Sequence, residues 1–139
     1  MSNYAMTYLE AAYTQKLTAH FVAAVTGKRF VAPLGAFQSG PGLATTGEGG
    51  NLQTAGYPTA AGRTGGVNMY DVPAGGKGGV IRGRGTMVPV SSGAPISVGN
   101  EVQVDGTGRV VPLAAGVAVG LAHSAAAGAD IDVVVELYG

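Results

Sequence analysis

One nine-residue string occurs twice in this chain, and the duplication constrains every other reading of it. Pro112-Leu-Ala-Ala-Gly-Val-Ala-Val-Gly120 lines up with Pro58-Thr-Ala-Ala-Gly-Arg-Thr-Gly-Gly66, sharing the proline, both alanines and both framing glycines at an offset of 54 residues. Downstream, Gly128-Ala-Asp-Ile-Asp-Val-Val-Val answers Gly75-Gly-Lys-Gly-Gly-Val-Ile after a one-residue slip; upstream, Arg109-Val-Val-Pro112-Leu113 answers Arg29-Phe-Val-Ala-Pro33-Leu34. Self-similarity of this kind means one structural unit used twice, and it outranks local propensity. The expected organisation is an N-terminal arm over residues 1–16 and a single β domain over 17–139. That domain splits into repeat one (17–84, with a loop insertion at 35–57) and repeat two (85–139).

Inside the repeats the apolar residues alternate over short spans. Phe21–Val25 and Arg29–Pro33 around the turn Thr26-Gly27-Lys28 read as a β-hairpin, answered by Val102–Val104, Asp105-Gly106 and Arg109–Val111. Short strands are also expected at Val67–Tyr70, Gly79–Arg82, Thr86–Val90 and Ile96–Val98. The clearest is the last: Ile131, Val133, Val135 and Leu137 face one way, and Asp132, Val134, Glu136 and Tyr138 the other. Pro89 and Pro112 must sit at edges, bulges or strand starts, because proline cannot donate to a ladder. The arm carries Tyr4, Tyr8, Leu9 and Tyr13, and Met6, Leu9, Tyr13, Leu17 and Phe21 have helical spacing, which leaves room for a helical turn before the strands begin. The stretch 35–57, rich in Gly, Ser, Thr and Gln, reads as an extended surface loop.

The predicted fold is therefore all-β: a small glycine-rich barrel or β-tulip-like domain made of two internal repeats, with an extended N-terminal arm. Its core is thin, since much of the apolar content is alanine and valine, there is no tryptophan, and small side chains bury little area each. A thin core points to stability drawn from oligomerisation or a partner. There is no cysteine, so disulfides and thiolate zinc sites are excluded. No secretory leader is expected at the N-terminus. The uncharged run Val110–Ala129 is broken by Pro112, Gly116, Gly120, His123 and Ser124, so no membrane span is expected there. Net charge is zero but divided: residues 1–85 carry +4 and residues 86–139 carry −4, a split that could orient subunits or dock an acidic surface.

The inventory for chemistry is poor. His20 and His123 are the only imidazoles, and neither has metal-ligand spacing. His123 and Ser124 would point to opposite faces of a strand, so an ordinary surface pair is favoured over a dyad. Asp130 and Asp132 share a strand face, and a solvated face is favoured over paired acids. Gly75-Gly-Lys-Gly-Gly79 lacks the Ser/Thr and the spacing of a P-loop. Lys77 at a hairpin tip of a doubled β domain is a second possibility, a carrier lysine, though its acidic and hydrophobic neighbours are missing. Arg82-Gly-Arg84 could touch phosphate, but zero net charge and few aromatics argue against nucleic acid. No enzyme, cofactor or metal is expected.

The second copy reads Gly-Thr-Met-Val-Pro-Val-Ser-Ser-Gly-Ala-Pro-Ile-Ser-Val-Gly-Asn-Glu-Val-Gln-Val, then Gly-Arg-Val-Val-Pro-Leu-Ala-Ala-Gly-Val-Ala-Val-Gly, then Ala-Ala-Ala-Gly-Ala-Asp-Ile-Asp-Val. This resembles the small glycine- and alanine-rich decoration (head-cement) proteins of tailed bacteriophages, particularly those of actinobacterial hosts. Tyr70-Asp-Val-Pro-Ala-Gly75 through Val80-Ile-Arg-Gly83 is similar to that family's first half. The likeness covers roughly residues 17–34 and 57–139, leaving the arm and the insertion unmatched. The resemblance implies a non-enzymatic virion protein on the outer surface of the capsid, a homotrimer that clamps neighbouring copies of the major capsid protein. It carries over no site residues. From the residues themselves, the expected contacts with capsid or subunit are Tyr4, Tyr8, Leu9 and Tyr13 of the arm, and Arg29, Arg63, Arg82 and Arg84 of the basic half. An arm folded back on its own barrel stays open, as do a carrier domain modified at Lys77 and a host- or carbohydrate-binding head appendage.

Overall fold

The computed structural model describes residues 15–34 and 53–139; the tyrosines of the arm and most of the insertion lie outside them. Ten strands and no helix make up the described chain: β1 (Gln15–Phe21), β2 (Arg29–Pro33), β3 (Gln53–Gly56), β4 (Gly66–Asn68), β5 (Lys77–Arg82), β6 (Met87–Ser91), β7 (Glu101–Val104), β8 (Val110–Pro112), β9 (Gly120–Ala122) and β10 (Asp132–Leu137). The first five close into a barrel, β1-β3-β2-β4-β5, and the second five form a sheet, β6-β10-β9-β7-β8.

Cut between β1 and β3, the barrel runs β1-β5-β4-β2-β3, and the second sheet follows the same order with each strand advanced by five. The registers agree too. Val31 opposes Gly66 as Val102 opposes Gly120, Val67 opposes Ile81 as Leu121 opposes Glu136, and Leu17 opposes Val80 as Val88 opposes Val135. Single bridges beyond the strands also correspond: Val25 with Val72, and Ile96 with Ala126. The parallel β1–β3 pairing that closes the barrel has its counterpart in one parallel bridge, Ser92 with Val110, at the end of β6.

Period-two alternation lets one wall serve two cores. On β2, Val31 points into the barrel with Ala19, Phe21, Ala55 and Val80, whereas its neighbour Phe30 joins the core of the second sheet. Val67 of β4 joins it there, among Val90, Val102, Val104, Val110, Val135 and Leu137, with Met69 and Ile81 packed alongside. Each fully buried valine contributes about 1.5–3 kcal/mol of transfer free energy. On β10 the inward set is Val133, Val135 and Leu137, as the alternation requires, whereas Ile131, expected with them, precedes the strand and is 40% exposed.

Pro89 and Pro112 lie on the outer strands β6 and β8, and the hydrogen bonds show why they are tolerated. The N–H of Val134 donates to Ser124 Oγ (2.9 Å) and its carbonyl accepts from His123 N–H (2.8 Å), so Val134 bonds toward β9 and asks nothing of Pro89 opposite it. The remaining edge of β6 is engaged at Ser91, whose N–H donates to the Lys28 carbonyl at 2.9 Å.

Four expectations are corrected. Phe21–Val25 and Arg29–Pro33 do not pair as a hairpin, because β3 lies between β1 and β2, and residues 22–24 are exposed loop. Gln53–Gly56, inside the stretch read as surface loop, is that intervening strand. Ile96–Val98 forms only a bridge. The upstream match of Arg29–Pro33 to Arg109–Leu113 also joins unlike positions. In strand order β2 answers to β7, and Arg109 stands in register with Thr54. Among the described residues no helix is long and apolar enough to cross a membrane.

Candidate interaction surfaces

The titratable side chains of the second half are engaged with one another and with the first half. The β7–β8 turn is organised by Asp105, whose Oδ1 accepts from Thr107 N–H and Oγ1 (both 2.9 Å) and Arg109 N–H (3.0 Å). Its Oδ2 accepts from Arg109 Nε at 2.9 Å. Burial alone would push this carboxyl up, but the hydrogen bonds from Thr107 and Arg109 outweigh it and hold Asp105 below its ordinary pKa. Arg109 also reaches Asp130 (3.1 Å), so Asp130 is committed to a cation. Asp132 pairs instead with Lys28 at 2.6 Å, across the two halves. The two carboxylates that share a stretch of sequence thus bind different partners and form no acid pair.

His123 Nε2 meets Glu136 Oε1 at 2.9 Å, while Ser124 Oγ is taken by the Val134 amide, so the two neighbours make no nucleophile–base contact. Tyr138 lies on the same wall: burial first, and then the nearby Glu101, push its hydroxyl pKa up, with Arg84 acting in the opposite sense. Among the described residues no group of His, Asp and Glu could hold a metal ion. Lys77 opens β5 opposite His20 of β1, in a ladder and not at a turn tip. The tip belongs to Pro73–Gly76, a turn closed by Gly76 N–H to Pro73 O (2.9 Å) with Gly75 at φ 78°.

The structure disperses the arginines expected at a contact. Arg29 faces the second half, with Nη1 donating to the Thr107 carbonyl (3.2 Å) and Nε buried without a hydrogen-bond partner. Arg63 is exposed on the β3–β4 connection, Arg82 is half-buried at the end of β5, and Arg84 is exposed in the crossover to β6. Tyr4, Tyr8, Leu9 and Tyr13 lie outside the described residues. Sequence reasoning missed an apolar tip at the end of the barrel where Val25 bridges Val72. There Tyr70 is 79% exposed and Val22 64%, beside exposed Ala23, Ala24, Pro73 and Ala74. The signal was present in the apolar run Phe21–Val25, which alternation assigned to a strand.

No family model and no curated protein matches the chain. Among solved structures it is similar to the head fiber gp8.5 N base of bacteriophage phi29, with a TM-score of 0.66 and 18% identity, over 89% of this chain and 93% of that one. At that identity the likeness is one of fold, and its extent spans both halves.

Proposed function

We propose that the chain is a structural protein of a tailed-phage particle, carried as an oligomer on the outer surface of the head. There it binds the major capsid protein and stabilises the shell. The observation that carries this reading is the likeness of fold, over nearly the whole of both chains, to a phage head fiber base. The side chains add to it: Asp105, Asp130, Asp132 and Glu136 are held in internal pairs with Arg109, Lys28 and His123, while apolar groups are presented at a loop tip. A homotrimer on a three-fold lattice position is the expected form. The contact residues are the aromatic arm (Tyr4, Tyr8, Leu9, Tyr13) and the basic groups of the first half, exposed Arg63 and Arg84 and half-buried Arg82. Arg29 is turned inward and contributes to the joint between halves. A head appendage that presents a binding surface is the second reading, favoured by the same fiber-base likeness.

The test is co-sedimentation of purified protein with undecorated heads at low and physiological ionic strength. Binding that saturates at a fixed copy number, and weakens as salt screens the arginines, is the expected result. Protein left in the supernatant at every salt concentration overturns the head-bound reading, and salt-independent binding overturns the role of the arginines.

A further inference from the structure

The joint between the halves rests on one row of side chains, and the second half carries the equivalent row uncovered. In the first half the row is Phe30–Val67–Ile81, each residue opposite the next across β2, β4 and β5. All three pack against the core of the second sheet. By register the same row in the second half is Glu101–Leu121–Glu136, across β7, β9 and β10, with Met87 of β6 next in line. It faces away from the core, since Val102, Ala122, Val135 and Val88 point inward beside it. Glu101 is exposed, Leu121 and Glu136 are half-buried, and Met87 is 48% exposed. Repeated units bury a shared face against a neighbour, and within one chain only the first unit does so.

Carboxylates where the first row has Phe30 and Ile81 set the chemistry of whatever covers the second: cations around an apolar contact. The chain offers such a cation at the rim. Arg84 is exposed in the crossover to β6, held beside the end of β10 by Gly85 N–H donating to Leu137 O at 2.8 Å. The Tyr138 hydroxyl donates to Glu101, and Arg84 acts electrostatically on the same hydroxyl. Although both lie near Tyr138, Arg84 and Glu101 form no ion pair in one chain. Among the described residues no carboxylate pairs with Arg84 and no cation with Glu101, and Glu136 has only His123. We propose that this row is a contact between copies of the chain, in which a second copy sets its Arg84 against Glu101 and Glu136 over Leu121 and Met87. The inference rests on the oligomer of the proposed function and names its interface, assigning Arg84 to a neighbouring copy and leaving Arg63 and Arg82 to the shell. In a symmetric assembly each copy gives the arginine once and receives one, and arginine pairs with carboxylate by two parallel hydrogen bonds. A row that only capped the repeat against water would leave the chain a monomer.

Sedimentation of the purified full-length protein is the test. The native chain should sediment above the mass of one copy. Glu101→Arg and Arg84→Glu should each weaken self-association by about tenfold or more, at unchanged far-ultraviolet circular dichroism. The two changes combined in one chain restore the pair in reverse and keep the native net charge of zero, so the heavier species should return. A native chain that sediments as one copy, single reversals of unchanged mass, or a double variant no heavier than the singles would each overturn the proposal and leave the row a solvent-facing cap. Glu101→Gln and Arg84→Gln, milder surface changes, are read the same way where a reversal disturbs the fold. No heads are used, so failure here leaves binding to the head standing on its own co-sedimentation, and loss of head binding leaves this contact standing.

Discussion

Gly66 and Gly120 show how closely the halves correspond, and why one motif in the sequence is conspicuous. A Cβ on Gly66 would lie 2.6 Å from Ile81 O and from the Val80 side chain; one on Gly120 would lie 2.6 Å from Glu136 O and against Val135, the register equivalents. Both glycines let a short strand press onto its neighbour's backbone. Gly120→Ala should therefore cost about 1–3 kcal/mol, as overpacking does, and Gly66→Ala at least as much given its φ of 140°. Urea unfolding measures both, and an unchanged midpoint for either would contradict the close approach. Asp105 gives a pH prediction. Its folded pKa lies below the ordinary value of 3.8, so its contribution to stability is fully present above that value and is lost as the pH falls through the lowered pKa. Protection of the Thr107 and Arg109 amides should collapse in that acid window in the native protein. In Asp105→Asn it should be weaker at neutral pH and flat across the window.

Among the elements, β10 was legible because buried and outward positions alternate along it, with Asp132 and Glu136 marking the outward face beside Val134. Val133→Ala should cost about 2–3 kcal/mol by leaving a cavity in the second core. Val134→Thr, on the face that is 37% exposed, should stay within about 0.5 kcal/mol. Thermal unfolding of the two variants distinguishes the faces, and equal losses would contradict the assigned register. The edge placement of Pro89 and Pro112 was legible for a similar reason, a hard limit on donors. β3 and β9 were not. Gln53–Gly56 carries one buried apolar side chain, Ala55, and Gly120–Ala122 is three residues in an uncharged, glycine- and alanine-rich run, so neither shows a period. Their pairing is decided by long-range closure: β3 joins β1 to β2 in parallel and antiparallel fashion, information that no local window contains. The hairpin expected at residues 21–33 failed on the same point. Of the expected contact residues, Arg29 could not be recognised as inward-facing, because its neighbour in space, Thr107, lies 78 residues away in sequence.

At the scale of the molecule, the charge asymmetry between halves is partly resolved inside one chain. Lys28 meets Asp132 and Arg29 meets the Thr107 carbonyl across the joint, leaving Arg63 and Arg84 as the exposed arginines of the first half. The exposed Lys28–Asp132 ion pair adds little stability. What holds the halves together is the Phe30–Val67 wall, shared between two cores. The two halves share one strand order, and an apolar tip with Tyr70 and Val22 exposed stands at the end of the barrel. The measurement that tests this account most directly is electron cryomicroscopy of phage heads with and without the bound protein. The account requires added density on the outer surface, at three-fold positions, into which the barrel and its second sheet fit with the apolar tip or the arm against the shell. Density inside the shell, or none at saturating protein, would contradict it.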